Sequence, residues 1–176
     1  VLDGSDKGTD AKSYTLTIQG SGNFSGTATK EWSIATKDIS SATIELGASL
    51  TYNGREQTQE IASVTADGLT VTYAVLSGSD KGADAKSYTL TIQGSGNFSG
   101  TATKEWSIAK RALTSDLFTV TGSYTYDGTA QEATYTVSDT AGNLTANDFS
   151  VAYKNNVRAG NTASIVFTAT EGGNYS

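Results

Sequence analysis

The stretch SYTLTIQGSGNFSGTATKEWSIA occupies Ser13–Ala35 and recurs without a single change at Ser87–Ala109. The identity extends upstream, because residues 1–35 match residues 75–109 at 33 of 35 positions. The two copies therefore begin 74 residues apart. Self-similarity at a fixed period is the signature of a tandem-repeat protein, so the repeat, rather than any single motif, decides the fold.

The same period continues more faintly through the rest of the chain. TYNG at Thr51–Gly54 aligns with TYDG at Thr125–Gly128, and GNF at Gly96–Phe98 aligns with GNY at Gly173–Tyr175. In this register the third repeat lacks the strand that TATKEWSIA forms in the other copies. The predicted domains are the C-terminal half of a first repeat at 1–36, a complete repeat at 37–110, and a third repeat without its last strand at 111–176.

Composition excludes several classes of function. The net charge is −6, and binding to nucleic acid or an anionic membrane needs a basic face, so neither partner is expected. No apolar run is long enough to span a bilayer, so we expect no membrane insertion of this segment. Histidine and cysteine are both absent, which removes the usual general base, the commonest transition-metal ligand and thiolate chemistry. The expectation is a protein that is no enzyme, with no cofactor, no metal and no catalytic residue.

Apolar and polar side chains alternate with the period of two that half-buried strands require. The pattern places Tyr14, Leu16 and Ile18 on one face, and Leu69–Val75 alternates in the same way. Trp106 falls on the inward face of a late strand, where it is predicted to anchor the core. Asn-Gly and Asp-Gly pairs between the runs are typical of tight hairpins. The predicted fold is all-β, with tandem small immunoglobulin-like antiparallel β-sandwich domains in an elongated array; β-grasp-like units are the alternative.

Two glycine-rich loops suggest ligand sites. GSGNFSG at Gly20–Gly26 resembles a phosphate-binding loop, but the segment after it has the pattern of a strand, so a hairpin turn is predicted. Asp3, Asp6 and Asp10 share one loop and could offer oxygen ligands to calcium. Their order differs from that of an EF-hand loop, and whether calcium binds there is left open.

Other side chains are candidates for chemistry or recognition. Glu56 and Glu60 on one strand would lie about 13 Å apart, too far to act as an acid–base pair. Six tyrosines could stack on sugars if they were exposed, but most fall on the buried phase of their strands, which predicts core packing. These tyrosines are Tyr52, Tyr73, Tyr88, Tyr124, Tyr126 and Tyr153.

The order of three short motifs resembles the MBG/YDG-type repeats of bacterial surface proteins. TYNG or TYDG stands early in the repeat, VAYKNNVRAG occupies Val151–Gly160 in the middle, and GNF or GNY precedes a final strand. The resemblance implies an extracellular stalk or adhesive segment of a larger secreted protein, with no enzymatic residues to carry over. The second repeat departs from the pattern at Ala74–Ala85, where AVLSGSDKGADA replaces the middle motif.

The sequence therefore favours a structural stalk or spacer segment of a bacterial cell-surface adhesin. One alternative is an adhesive module that binds host glycan or mucin. A second alternative is an assembly module, in which a neighbouring copy of the chain supplies the missing last strand by strand pairing.

Overall fold

The structure is a computed structural model that describes residues 1–160 and 162–176. It confirms the all-β class, because the regular structure of the described residues is strand apart from one 3-10 turn at Ser115–Leu117. No helix among these residues is long and apolar enough to cross a membrane. The strands are β1 (Ser13–Gln19), β2 (Thr27–Ser33), β3 (Lys37–Asp38), β4 (Thr43–Leu46), β5 (Leu50–Thr51), β6 (Gln57–Thr58), β7 (Ile61–Ala66), β8 (Leu69–Thr70), β9 (Tyr73–Val75), β10 (Lys81–Gly82), β11 (Ser87–Gly94), β12 (Phe98–Ser99), β13 (Thr101–Ala109), β14 (Phe118–Thr121), β15 (Thr134–Val137), β16 (Phe149–Lys154) and β17 (Ser164–Ala169).

Residue contacts divide the chain into two compact units, each built from segments that are distant in sequence. Each unit combines parts of more than one predicted repeat, so the units do not test the repeat boundaries. The boundaries after residues 36 and 110 therefore stay predictions. Unit 1 comprises Val1–Gly47, Glu60–Asp80 and Thr89–Glu105, and unit 2 comprises Ala48–Gln59, Lys81–Tyr88 and Trp106–Ser176.

Unit 1 begins with a hairpin in which β1 and β2 pair antiparallel, with Ser13 opposite Ser33. The glycine-rich loop between them is a turn, so the prediction of a hairpin instead of a phosphate loop is confirmed. Gly22 has a φ of 65°, a conformation that glycine adopts without steric cost. Ile18, on the apolar face with Tyr14 and Leu16, is 46% exposed, because β1 and β2 form a sheet of only two strands.

The rest of unit 1 contains the antiparallel sheet β4-β7-β8. Asp67 and Gly68 connect β7 to β8 with φ values of 48° and 80°, the left-handed pair that a two-residue hairpin requires. Leu69–Val75 is not the continuous strand that its alternation predicts. The chain leaves β8 at Val71 and enters β9, which pairs with β11 in a different sheet. This change of sheet buries Val71 but leaves Leu69 54% exposed, so the two side chains do not share one buried face as the alternation predicts.

A four-stranded sheet of order β5-β13-β11-β9 contains the second copy of the repeated stretch. β5 runs parallel to the end of β13, with Leu50 opposite Ile108. Trp106 is only 4% exposed, which confirms that it anchors a core. Five side chains of β11 and β13 are buried: Leu90, Ile92, Ala102, Trp106 and Ile108.

The third repeat, within unit 2, is built from two antiparallel pairs, β14 with β15 and β16 with β17. Aromatic rings fill the space between its strands. Phe118 and Phe167 stack with ring centroids 3.8 Å apart, and Phe149 meets both rings edge to face. The buried members of this cluster are Leu117, Leu144, Phe149 and Tyr175.

Candidate functional site

An asparagine side chain in the second repeat binds a loop of the first repeat inside unit 1. Asn97 accepts a hydrogen bond from the backbone N–H of Ala11 at Oδ1, over 2.7 Å. Its Nδ2 donates to Asp10 Oδ1 over 3.2 Å. The loop is held in place by Tyr14, whose hydroxyl donates to the carbonyl of Asp10 and accepts from its N–H. Both ends of the amide are therefore used, which fixes its orientation.

The same contact recurs one period later inside unit 2. Asn174 Oδ1 accepts from the N–H of Ala85 over 2.7 Å, and Asn174 Nδ2 donates to Asp84 Oδ1 over 3.3 Å. Tyr88 holds this loop through the same pair of hydrogen bonds to the backbone of Asp84. We call these two contacts the asparagine joints. Each one ties the Gly-Asn-aromatic turn of one predicted repeat to the Asp-Ala loop of the repeat before it.

The aromatic residue beside the second joint is almost completely buried. Tyr175 is 1% exposed and packs edge to face on Tyr52, with ring centroids 5.7 Å apart. Its hydroxyl donates to Asp139 Oδ2 over 2.9 Å. Burial and this hydrogen bond raise the pKa of Tyr175, so the phenol stays protonated and donates.

Asp139 is the acceptor at the centre of this network. Its side chain is 1% exposed, and Arg111 Nε donates to Oδ2 over 2.9 Å. Burial raises the pKa of the carboxyl, but hydrogen bonds from Tyr175, Arg111 and two backbone N–H groups outweigh it and lower the pKa overall. The ionised carboxylate therefore stabilises the packing of Tyr175 in unit 2.

An open cavity of about 370 Å³ lies in the third repeat. Tyr124, Thr125 and Tyr126 line it, as do Ser164 and Ile165 at the start of β17. Its large exposed side chains are Val120 at 45%, Tyr124 at 48%, Tyr126 at 63% and Val157 at 47%.

Hydrogen bonds to the backbone occupy two phenol groups in this cavity. The Tyr124 hydroxyl donates to the carbonyl of Glu132, and the Tyr153 hydroxyl donates to the carbonyl of Ala133, both over 2.8 Å. Burial, with a smaller contribution from the charge of Glu132, raises the pKa of Tyr153. Both hydroxyls are therefore hydrogen-bonded within the protein, while the two tyrosine side chains line the cavity.

The TYDG motif forms the turn that places Tyr126 at the rim of the cavity. Asp127 Oδ1 accepts hydrogen bonds from the N–H and the hydroxyl of Thr129 and from Gln131 Nε2, at 2.7 to 2.8 Å. The hydroxyl of Thr129 has the largest effect in lowering the pKa of Asp127. Gly128 has a φ of 84°, which a side chain would strain.

The carboxylates singled out in the sequence do not converge on a reactive centre. Asp10 faces the amide of Asn97, while Asp3 and Asp6 are exposed in the loop before it. Glu56 lies 3.6 Å from Lys81 Nζ in an exposed ion pair, and the backbone of Glu60 accepts from Gly47. Within residues 1–160 and 162–176, no group of three or more acidic residues is placed to hold a metal ion.

The tyrosine prediction is correct in part. Tyr52, Tyr73, Tyr88 and Tyr153 are half-buried, as core packing requires. Tyr124 and Tyr126 are not, and for these two the prediction is wrong. In the second repeat the corresponding residues, Leu50 and Tyr52, lie beside the end of β13, and no strand of the described residues occupies that place in the third repeat.

Sequence reasoning missed the role of Asn97 and Asn174. The sequence marks both as part of a turn, because Gly-Asn pairs favour left-handed backbone conformations. Their recurrence at the same place in the repeat was the available signal. A turn can form with asparagine at any of several positions. A hydrogen bond to another repeat requires the asparagine at the same position in every repeat.

Comparisons of the chain with models of protein families, with curated proteins and with solved structures give no match.

Proposed function

We propose that this chain is a non-enzymatic stalk or spacer segment of a bacterial cell-surface adhesin, located outside the cell. The number of repeats would set the distance over which the stalk reaches. The resemblance to MBG/YDG-type repeats suggests this class of protein, and the repeated joints supply the physical argument for it.

The observation that carries the proposal is the recurrence of the asparagine joint with the same atoms and nearly the same distances. Asn97 bonds to Ala11 and Asn174 bonds to Ala85, each over 2.7 Å. A joint encoded within the repeat is reproduced whenever the repeat is duplicated. Each added repeat therefore brings its own connection to the one before, which is the property a spacer of adjustable length needs.

We infer that each complete repeat folds as a small immunoglobulin-like sandwich and that the repeats follow one another in tandem. Two sheets in the second repeat support this inference, β4-β7-β8 and β5-β13-β11-β9, with the chain passing from one to the other at Val71. Strands that switch between sheets are common in sandwiches. A β-grasp unit is the less favoured alternative, because the described residues contain no α-helix.

Small-angle X-ray scattering of lengthened variants tests the spacer proposal. One or two extra copies of residues 37–110 are inserted after residue 110, so that each new joint matches the original. The maximum dimension is expected to increase by the same amount with each insertion. A dimension that grows only as the cube root of mass would contradict a spacer, because it would mean that the repeats collapse into one globule.

A second candidate function is glycan or mucin binding at the cavity. The exposed rings of Tyr124 and Tyr126, 48% and 63% exposed, favour it because aromatic rings stack on the apolar faces of sugars. A glycan array probed with the whole chain tests it. Saturable binding that Tyr126→Ala abolishes would support a binding module, and absence of binding to every glycan would exclude it for the glycans tested.

A further inference from the structure

One dipeptide of the second repeat combines an asparagine with a glycine that the fold requires. Asn53, in the TYNG motif at Thr51–Gly54, is the one asparagine of the chain that a glycine follows. Gly54 has a φ of 71°, a left-handed conformation that strains other residues. A Cβ atom at Gly54 would also lie 2.6 Å from Nδ2 of Asn143. Glycine is therefore needed at this position both for the turn and for a close approach to the third repeat.

The turn is hydrogen-bonded to the third repeat within unit 2. Asn143 Nδ2 donates to the backbone carbonyl of Gly54 over 3.3 Å, and both residues belong to this unit. Asn143 is itself held in a left-handed conformation, with a φ of 57°. The contact therefore depends on where the backbone of Gly54 lies, and a change in the length of the backbone at Asn53 would break it.

A glycine after an asparagine leaves the side-chain amide open to attack by the backbone. Because Gly54 has no side chain to shield its nitrogen, this nitrogen can bond to Cγ of Asn53 and close a five-membered succinimide ring. The bond from Cγ to Nδ2 breaks, and Nδ2 leaves as ammonia with the proton of the Gly54 N–H. Negative charge develops on Asn53 Oδ1 during the attack. This atom already accepts a hydrogen bond from the N–H of Arg55 over 3.0 Å, and a donor placed there stabilises the charge.

We propose that Asn53 loses its side-chain amide in this way without an enzyme, and that one of the two products releases the contact with Asn143. This inference goes beyond the spacer role. The chemistry depends on the turn and not on what the chain carries, so it would hold even if the spacer proposal failed.

Water opens the succinimide at either of its two carbonyl carbons, so two products form. When the bond between Cγ and the nitrogen breaks, residue 53 becomes aspartate and the original backbone is restored. When the bond between the main-chain carbonyl carbon and the nitrogen breaks, residue 53 becomes isoaspartate. The backbone of this second product runs through Cγ and is longer by one carbon.

The third repeat shows that aspartate fits this turn. The alignment of TYNG with TYDG places Asp127 where the second repeat has Asn53. Asp127 Oδ1 accepts a hydrogen bond from the N–H of Thr129 over 2.8 Å, the contact that Asn53 Oδ1 makes two residues along its own turn. The aspartate product therefore keeps the turn. The isoaspartate product does not, because the added carbon displaces Gly54 from the amide that donates to it.

Peptide mapping of the full chain tests the loss of the amide. The folded chain is kept in mildly alkaline buffer, sampled over time and digested with trypsin, which releases Asp38–Arg55 with Asn53 as its only asparagine. This peptide is expected to gain the mass difference between an amide and an acid. It should divide into two products, of which an isoaspartyl methyltransferase labels one. The matched control is the peptide that Ser13–Lys30 and Ser87–Lys104 share, whose asparagine precedes phenylalanine and should keep its amide.

Two comparisons make the mapping decisive. Asn53→Gln should keep its amide over the same period, because the longer side chain has to close a less favourable six-membered ring. The same tryptic peptide, released from the chain before the incubation, measures the reaction without the fold. If the released peptide loses its amide while Asn53 of the folded chain keeps it, the proposal is overturned, because the fold then protects this residue.

Thermal unfolding tests the effect on the contact between repeats. Anion exchange collects the modified chains, because each product adds one negative charge to a net charge of −6. The Asn53→Asp variant, which represents the aspartate product, is expected to unfold at the temperature of the wild type. Modified chains that contain isoaspartate should unfold at a lower temperature, since they lose the hydrogen bond from Asn143 to Gly54.

Asn143→Gly separates this contact from other effects of the isoaspartate. The variant allows the left-handed backbone at this position but removes the amide that donates to Gly54. In this background the modification should lower the unfolding temperature by less than it does in the wild type. An equal decrease in both backgrounds, or no decrease in the wild type, would overturn the proposed release of the contact.

Discussion

Asn23 and Asn97 hold the same place in two copies of an identical stretch, yet they have different roles. Asn97 hydrogen-bonds to Ala11 and Asp10, whereas Asn23 is exposed, and the adjacent Phe24 is 79% exposed. Phe98 and Tyr175, beside the two joints, are half-buried and buried. At the scale of a residue, the contact with an Asp-Ala loop, and not the local sequence, decides what Asn97 does.

Asn97→Ala is expected to lower the free energy of unfolding by about 1 kcal/mol, because the variant loses two hydrogen bonds to the preceding loop. Asn23→Ala, the matched control in the same local sequence, should change it by no more than a few tenths. Urea denaturation followed by tryptophan fluorescence measures both. Equal losses of unfolding free energy in the two variants would mean that the hydrogen bonds of the joint add no stability to that of the turn itself.

Asp139→Asn is expected to destabilise the chain most at neutral pH and least in acid. The pKa of Asp139 in the folded protein lies below its ordinary value of 3.8. The carboxylate therefore contributes fully to the free energy of unfolding above pH 3.8, and this contribution is lost as the pH falls through the folded pKa. The free energy of unfolding of the wild type should exceed that of the variant by about 2 kcal/mol near pH 6 and by less near pH 3. Thermal unfolding at a series of pH values checks this, with Asp116→Asn at an exposed position as control.

At the scale of an element, β2 and the corresponding residues of β13 differ only in their neighbours. β13 has a strand on both sides, and β2 has one. Sheet stability depends on pairs of side chains across strands and on burial, so the same sequence yields a core strand in one place and a half-exposed strand in another.

Trp106→Ala should therefore cost far more than Trp32→Ala. Trp106 is 4% exposed, and its truncation is expected to cost about 3 to 5 kcal/mol through lost burial and the cavity it leaves. Trp32 is only half-buried, so the same change should cost about half as much or less. Guanidinium denaturation of the two variants makes the comparison, and similar losses would contradict the burial difference.

At the scale of the whole molecule, the net charge of −6 makes copies of the chain repel one another. Exposed charges interact over about 30 Å at 0.01 M salt and about 8 Å at 0.15 M. The range of this repulsion therefore shrinks as salt is added.

Raising the salt concentration from about 0.01 to 0.15 M is thus expected to make the second virial coefficient of the chain less positive, because the repulsion between copies is screened. Static light scattering at several protein concentrations measures this coefficient. A coefficient that becomes more positive as salt is added would indicate that attraction between charges dominates at low salt.

The sequence alone determines the period of 74 residues, the strand pattern and the turns. Alternation sets which residues can share a face, and Gly-Asn and Asp-Gly pairs set where the chain reverses, because both effects act over a few neighbouring residues. It also determines which chemistry is absent from the side chains, since no histidine or cysteine is present.

Only the tertiary structure decided how those elements were used. Alternation could not show that Leu69–Val75 divides between two sheets, that Tyr124 and Tyr126 face an open cavity, or that Asn97 and Asn174 reach the preceding loop. Two identical copies of one stretch differ in burial in this chain, as Ile18 at 46% and Ile92 at 0% demonstrate. The physical reason is that a side chain is buried only when a second surface packs against it. A local sequence specifies one of these two surfaces and not the other.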